Sequence, residues 1–466
     1  MTLAVGQVQT APPPAAPAPI NVLSADQIAR ISADPAASAA PLPPGDPKAL
    51  PPATVGANGS NGDKNGSSEA PDGGKENLGF FHTFLKEYKD AFFPPKNAKE
   101  EEPEPEKPRR APPAPWSAPL PVAEYQGYPL IGVPPGSEVW PLQKALTTMP
   151  CIDDFQKWSK INMYGWITAS GNFSTAKQSN SPDSYWLVPN RLELDQAVVR
   201  FERELDSVQT DHIDWGFRSS FLYGIDYRYM TAGGFFSDQL LEHNRLNGFD
   251  PTEQYLDVYI PWVAKGMIVR LGRWIACPDI ETQFAPDNYV GSHSLLFTYD
   301  TYTQTGVMLT FKLSDQVMAQ VGINAGDDMA PWYKGAVPCG YAGLRLTSKD
   351  NNDAVYTVLN QINNAKFSHF TEDGQPAGHD NYNYIVSTYE HRISQTAFTK
   401  TEGYFMWQRD AELGGTPTLG APQYFAPSTG DGTLLPGMSY TYGAQLHLHW
   451  IDEERLHHVP KRVMER

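Results

Sequence analysis

A few short spacings in this sequence could support chemistry, and one of them resembles an enzyme motif. Ser174 and Lys177 match the SxxK nucleophile-and-lysine spacing of penicillin-binding enzymes. The pair lies in a polar stretch between two predicted strands, without the helix start that presents such a serine. No Ser-Asp-Asn or Lys-Thr-Gly partner follows. We interpret the match as chance, and the sequence predicts no catalytic residue.

Histidines and aspartates that could bind a metal form the second group. His447 and His449 are two residues apart, so on a strand both side chains point the same way, and His457 and His458 follow nearby. A third ligand with a defined place is missing, and solvated histidines are the simpler interpretation. Asp327–Asp328 lack the spaced ligands of a calcium loop and are expected to be solvated. Because the three cysteines also show no zinc spacing, neither a metal nor another cofactor is predicted.

Basic residues on the polar side of predicted strands are the more informative set, and we predict that they face a lumen: Arg218, Arg270, Lys312 and Arg345. Glu390 and Arg392 lie near strand ends. In a pore these side chains would line the path and set its charge preference. They could equally pair with acidic side chains and brace the wall, and both interpretations stay open.

The elements that must position these residues are strands with alternating polarity. Residues 307–313 place Val and Leu opposite Thr and Lys, and residues 316–325 place Val, Ala and Ile opposite Gln and Asn. Ser314–Asp315 predicts a tight turn between these two antiparallel strands. We count about thirteen such strands, many roughly nine to eleven residues long, the length of a tilted bilayer crossing. One further strand has its predicted apolar side at Tyr382, Tyr384 and Val386.

Composition limits the functional classes. The formal charge of -17 argues against nucleic-acid binding, which requires a basic surface, and weakly suggests cation preference in a pore. No apolar run approaches the length of a spanning helix, which excludes an α-helical membrane protein but not a barrel. Aromatic residues reach 12%, a proportion that favours strands and interfaces.

Strands with alternating polar and apolar residues occur in soluble sandwiches and in membrane barrels. Three features of this sequence favour the barrel. The polar faces carry Gln, Asn, Arg and Lys, which a water-filled lumen tolerates. Short turns alternate with long Gly-rich loops such as residues 413–437. Tryptophans gather at strand ends, as in the aromatic girdles of barrels: Trp166, Trp215, Trp262, Trp274, Trp407 and Trp450.

The chain divides by composition. Residues 1–75 are rich in Pro, Ala, Gly and Ser and are expected to be disordered. Residues 76–95 predict an amphipathic helix, residues 96–158 a Pro-rich linker or periplasmic segment, and residues 159–450 the β-barrel. The start resembles either the trailing end of a signal peptide or a plain disordered terminus. Residues 451–466 form an atypical charged tail, which we interpret as a truncated or frame-altered end.

The segment GRWIACPDIETQFAPDNYVGSHSLLFTYDTYTQTGV resembles the OmpL-like outer-membrane β-barrel porins. In that family, a strand ending in Gly-Arg leads into a loop with an acidic residue and Ala-Pro-Asp-Asn. YGWITASGNFS and TEGYFMWQRDAELGGTPTLG are similar to the same family, and the resemblance covers roughly residues 75–445. It implies an antiparallel transmembrane β-barrel in the outer membrane of a Gram-negative bacterium, without a catalytic site.

We therefore expect a porin that passes small hydrophilic solutes or ions by passive diffusion, with the lipid bilayer as its partner and a homo-oligomer among the arrangements allowed. The alternative is a barrel with a blocked lumen that acts as a ligand-binding or structural surface protein. A secreted all-β enzyme is the third hypothesis, and it lacks a convergent set of catalytic residues.

Overall fold

The computed structural model describes residues 79–92, 124–125, 128–133 and 140–177, most of residues 180–362, and residues 383–409 and 438–450 with short gaps. The predicted disordered segment 1–75 and the charged tail 451–466 lie outside the described residues. So do most of the Pro-rich stretch from residue 93 to residue 127 and the long loop at residues 413–437.

Short helices precede the sheet. Helix α1 spans Phe80–Phe92, α2 spans Pro141–Leu146 and α3 spans Pro150–Ser159. Both α2 and α3 begin with proline, whose fixed φ and missing N–H suit the first helical position. Helix α3 ends where Lys160 adopts a left-handed conformation with φ of 58°. Between α1 and α2, β1 (Glu124–Tyr125) and β2 (Tyr128–Pro129) form a small antiparallel ribbon.

Twelve antiparallel strands of the described residues form one sheet, in which every strand pairs with its neighbours in the sequence. The strands are β3 (Asn162–Gly171), β4 (Leu192–Arg203), β5 (Asp214–Gly224), β6 (Gly248–Ile260), β7 (Met267–Ile275), β8 (Thr303–Lys312), β9 (Val317–Asn324), β10 (Cys339–Thr347), β11 (Asp353–Ile362), β12 (Asn383–Arg392), β13 (Ala397–Arg409) and β14 (Met438–Trp450). In the described residues this is one strand fewer than the expected count of about thirteen. Short helices α4 (Tyr227–Met230) and α5 (Asp238–Leu241) lie between β5 and β6.

The connections differ in length at the two ends of the sheet. We call one end the short-turn end, because the connections there include residues 261–266, 313–316, 348–352 and 393–396. The other is the long-loop end, where residues 172–191, 225–247, 276–302 and 325–338 connect strands. This asymmetry is the one expected of an outer-membrane barrel.

The two faces of the sheet have inverted polarity relative to a soluble protein. The outer face exposes aliphatic side chains, for example Leu271 at 41%, Val321 at 45% and Leu344 at 43%. The inner face buries charged side chains, among them Arg200 at 1% and Glu253 at 1% exposure. A soluble sandwich buries the aliphatic side and leaves charges in water, so this arrangement belongs to a sheet with apolar surroundings outside.

The sheet curls until its two ends approach each other. The backbone N–H of Ile280 donates to Glu402 in β13, and the N–H of Ala285 donates to Gln196 in β4. Five residues of chain reach about 18 Å. In a flat sheet the nine steps between β4 and β13 would separate these strands by about 43 Å. Only strong curvature brings both strands within reach of one loop.

Several expectations need correction. Trp166 and Trp274 were predicted in the aromatic girdles, but Trp274 is fully buried and Trp166 donates its indole N–H to Gln196 on the inner face. Trp215, Trp262 and Trp450 are exposed as predicted: their exposed fractions are 48%, 62% and 78%.

In β12 the polarity is reversed relative to the prediction, because Tyr384 and Val386 are fully buried and Ile385 takes the outer side. Tyr382 lies outside the described residues. The segment 96–158 is not only a linker either. It contains α2, most of α3 and residues 128–133, which are buried in the interior because an apolar YPLIGV run interrupts the prolines.

Within the described residues, none of the helices has the length and apolar character needed to cross a bilayer.

A charged side chain introduced on the outer face should lower the free energy of unfolding. Val321→Arg places a guanidinium on the outer side of β9 and is expected to lower the unfolding free energy by about 2–4 kcal/mol if that side meets hydrocarbon. Thr210→Arg, in an exposed connection at the short-turn end, is the matched control, with a change below about 0.5 kcal/mol. Urea titration of vesicle-embedded protein measures both, and equal effects would contradict a lipid-facing surface.

Candidate functional site: the charged interior

A network of two arginines and two glutamates lines the inner face of β4, β5 and β6. Arg218 Nε donates to Glu202 Oε1 at 2.8 Å, and its Nη1 lies 3.2 Å from Glu253 Oε1. Arg200 Nη2 donates to Glu253 Oε2 at 2.8 Å, and Ser220 Oγ donates to the same oxygen at 2.8 Å. We call Arg200, Glu202, Arg218 and Glu253 the paired network. Antiparallel register places Glu202 opposite Arg218, which lets an acid on one strand meet a base on the next.

A second ion pair continues the network on β6 and β7. Arg270 donates to both carboxylate oxygens of Asp257, with Nε–Oδ1 and Nη2–Oδ2 distances of 2.8 and 2.7 Å. The Tyr255 ring centroid lies 3.7 Å from the Arg270 guanidinium carbon, a cation–π contact. The Asp257 carboxylate thereby holds the edge of the Arg270 guanidinium, and the Tyr255 ring packs on its face.

The other two predicted basic residues lie on the same buried side, in different surroundings. Lys312 Nζ is 3.0 Å from Asp315 Oδ1 in the turn that follows β8, and the lysine side chain is 1% exposed. Arg345 Nη1 donates to Thr347 Oγ1 at 3.0 Å. Of the two residues predicted near strand ends, Glu390 pairs with Lys400 at 3.0 Å, and Arg392 is partly buried.

The loop between β7 and β8 folds into the interior, and we call residues 280–288 the inner loop. Glu281, Gln283 and Phe284 are between 2% and 4% exposed. The Arg200 guanidinium carbon lies 4.9 Å from the Phe284 ring centroid, so the inner loop covers the paired network. Gln196 Nε2 donates to the carbonyl of Gln283 at 2.6 Å.

A second segment, Tyr128–Val133, enters the interior from the N-terminal side, and we call it the strap. Tyr128 donates its hydroxyl to the carbonyl of Ala276, and its ring centroid lies 5.5 Å from that of Tyr356. Ile131 is fully buried in a cluster with β6 and β7 residues. The N–H of Gly132 donates to Ser207 Oγ at 2.9 Å.

A small, partly open cavity of about 40 Å³ lies between the strap and the charged inner face of β4–β7. The lining comes from both parts: Pro129, Leu130, Glu202, Arg218, Asp257 and Arg270. Such a volume holds one or two water molecules, with several charged partners for each. This cavity therefore has charged walls and room for little more than water.

The remaining sequence candidates take structural positions. Ser174 Oγ accepts the N–H of Ala176 in a local turn, and Lys177 is exposed. Asp328 was expected to be solvated, but it is fully buried and accepts the N–H of Thr303 at 2.7 Å. This correction has a physical reason: neighbouring loops cover the carboxylate and its donors replace water. Asp327 lies outside the described residues.

The histidine pair is partly enclosed, unlike the solvated pair expected. The ring centroids of His447 and His449 are 5.9 Å apart, and His447 Nε2 lies 3.5 Å from Glu281 Oε1. His449 stacks on Phe398 with a centroid distance of 4.5 Å. No group of three metal-binding side chains occurs among the residues that the structure describes. His457 and His458 lie outside that part of the chain.

Sequence reasoning missed the strap and the inner loop as interior elements. For the strap, the available signal was the apolar run YPLIGV between prolines. For the inner loop there was no comparable periodicity, because its buried Glu281 and Gln283 resemble ordinary loop residues.

A curled antiparallel sheet with aliphatic residues outside, ion pairs inside and short turns at one end only is an outer-membrane β-barrel. The chain belongs to the family described as "Putative beta-barrel porin-2, OmpL-like", whose model matches residues 160–425. This membership points to an outer-membrane location.

Two solved structures are similar to part of the chain. OccD3 (OpdP) of Pseudomonas aeruginosa has 10% identity and a TM-score of 0.21, over 62% of this chain and 95% of that one. OmpT of Vibrio cholerae has 8% identity and a TM-score of 0.17, over 62% of this chain and 97% of that one. None of the curated proteins shows significant similarity to the chain.

Removing one member of the paired network should destabilise the fold, because it leaves a buried charge without its partner. Glu253→Gln takes the carboxylate away from Arg200 and Arg218, and we expect the unfolding free energy to fall by roughly 3–5 kcal/mol. Asp154→Asn, on exposed helix α3, is the control and should change it by less than about 0.5 kcal/mol. Urea titration in vesicles measures both, and an unaffected Glu253→Gln variant would contradict the network's role.

A pH effect should come from Asp226, which follows β5 and accepts from Gln196 Nε2 at 2.9 Å. Burial raises the pKa of this carboxyl to about 7 from its ordinary 3.8, although the Gln196 hydrogen bond opposes the shift. The folded protein therefore retains a proton that the unfolded chain loses. The contribution of Asp226 to stability must fall as pH rises from about 4 to about 7, and stay constant above.

Asp226→Asn should remove this part of the pH dependence. Unfolding free energies at several pH values between 4 and 8, for the parent and the variant, provide the measurement. Parallel curves for the two proteins would show that Asp226 does not take up the proton.

Proposed function

We propose that the protein is a porin of the outer membrane that passes small hydrophilic solutes or ions by passive diffusion, without catalysis. The observation that carries this proposal is the line of buried ion pairs on the inner face, above all Arg218–Glu202 and Arg270–Asp257. Side chains that keep their charge inside a barrel wall suit an aqueous path, whereas a dry core would be filled with apolar residues.

In this proposal Arg218, Arg270, Lys312 and Arg345 face the lumen and act mainly as wall braces. The paired arginines have carboxylate partners, so their fields largely cancel at a distance. A modest cation preference then comes from the acidic excess of the chain. The permeating solutes must be small, because the strap and the inner loop take up space that a wide porin leaves open.

A second candidate function is a barrel with a blocked lumen that serves as a ligand-binding or structural surface protein. A specific observation favours it. Tyr128 and Ile131 of the strap are fully buried, and the cavity beside the paired network holds only about 40 Å³. A segment so well packed could close the path permanently. The two candidates differ in whether ions cross the protein.

Conductance in planar bilayers separates them. The porin proposal predicts small, discrete open steps for the parent protein. Tyr128→Ala weakens the strap by removing its buried ring and its hydroxyl contact with Ala276, and should enlarge the steps or lengthen the openings. Tyr88→Ala removes a tyrosine that is 40% exposed on α1 and should leave the conductance unchanged.

Insertion must be verified independently, by the shift in gel mobility between unboiled and boiled samples. Inserted protein that is silent in the parent and in Tyr128→Ala would overturn the porin proposal and support the blocked barrel. Silence in the parent with steps in Tyr128→Ala would identify the strap as the block.

A further inference from the structure

We propose that helix α3 is a membrane-interface element, whose aromatic face inserts into the lipid leaflet at the short-turn end of the barrel. Its partner is the headgroup and upper acyl region of zwitterionic phospholipid. This inference rests on the proposed function in one respect, because it requires the barrel to stand in a bilayer.

The first step is the composition of α3. At 100° per residue, Cys151, Phe155 and Trp158 fall on one side of the helix, and Lys157 falls on the other. Trp158 is 81% exposed, Phe155 is 50% exposed, and α3 buries none of its residues against the rest of the described protein. Two large aromatic side chains are thus left uncovered by the fold.

The second step is the position of the helix. Trp158 precedes the first residue of β3, Asn162, by four residues, so it lies within about 14 Å of the strand. Gln156 Nε2 donates to Asn162 Oδ1 at 3.0 Å, which ties α3 to the start of β3. That start belongs to the short-turn end, where Trp215 and Trp262 are exposed on the barrel. The aromatic face of α3 therefore continues an aromatic girdle.

A neighbouring helix repeats the pattern. On α1, Phe81 is 77% exposed and Leu85 is 66% exposed. Lys144 Nζ of α2 lies 2.8 Å from Glu87 Oε2 of α1, and Gln143 Oε1 of α2 accepts the N–H of Met163 in β3. The helices are thus connected to the first strand and do not hang free on a linker.

The charge of α3 selects the kind of partner. Lys157 Nζ lies 2.6 Å from Asp153 Oδ2, and Asp154 and Lys160 balance each other in sign. A helix that binds anionic lipid carries an excess of Lys or Arg on its polar face, and α3 has none. Because the charges of α3 balance, we expect its aromatic face to be buried at the surface of a bilayer of zwitterionic lipid. A second protein fits less well, because a stable interface buries about 800 Å² per partner, more than two rings and one helical face supply.

Site-directed labelling tests the proposal on the full chain. In a background with all three cysteines replaced by serine, an environment-sensitive fluorophore is attached at Phe155→Cys, Trp158→Cys, Lys157→Cys or Leu344→Cys. Each protein is refolded into phosphatidylcholine vesicles with or without brominated acyl chains. If the serine background does not fold, native Cys151, which is exposed on the apolar side of α3, carries the label in a Cys277→Ser chain.

We expect brominated lipid to quench the labels at positions 155, 158 and 344, and aqueous iodide to quench the label at position 157. Raising the salt concentration should leave this pattern unchanged. A label at position 344 in lipid with labels at 155 and 158 in water would overturn this inference and leave the barrel intact. A label at position 344 in water would overturn the barrel itself. If the labels at positions 155 and 158 were protected from iodide in detergent, and copies of the protein cross-linked there, the partner of α3 would be a second copy of the chain and not lipid. That result would overturn the inference.

Discussion

The paired network of Arg200, Glu202, Arg218 and Glu253 is the interaction on which the interior depends. Ionised groups removed from bulk water are stable only when partners replace their hydration, and here each arginine has a carboxylate within hydrogen-bonding distance. The network joins three consecutive strands through their inward side chains. Once that side of the sheet carries the charges, the aliphatic residues must occupy the other side, and such a surface is stable only against hydrocarbon.

The wall and its contents have separate roles. The wall resembles that of other outer-membrane barrels in its alternation and its unequal loops. The interior holds two insertions: the strap enters from the N-terminal segment, and the inner loop contacts both β4 and β13. These two insertions narrow the space beside the charges. If the protein is the porin that we propose, its conductance should depend on the packing of Tyr128 and Phe284 more than on the charge of the wall.

Much of the wall could be predicted from the sequence. Period-two alternation around Val307 and Val321 gave the correct outer side, since neighbouring side chains on a strand must point to opposite faces. The same rule predicts that Arg218 and Arg270 lie on the polar side, and both side chains are buried. It failed for Trp274, because an aromatic residue suits a girdle as well as an interior cluster, and composition does not distinguish them.

The contents of the interior could not be predicted in the same way. The strap contacts residues about 75 to 228 positions away in the chain, among them Ser207, Ala276 and Tyr356. The alternation of residues along a strand carries no information about such distant contacts. The side chain of Asp328 illustrates the same limit. Its donors are the N–H groups of Tyr302 and Thr303, where the 276–302 connection meets β8, so its burial depends on a contact that no local pattern encodes.

The most direct test of the account is the accessibility of spin labels on the two faces of β8 and β9. Labels at Val307 and Val321 should collide with oxygen dissolved in the bilayer and be protected from a water-soluble nickel complex. Labels at Thr310 and Gln320 should be protected from the oxygen in the acyl chains. Water-exposed labels at Val307 and Val321 would contradict a lipid-facing outer surface and, with it, the membrane barrel.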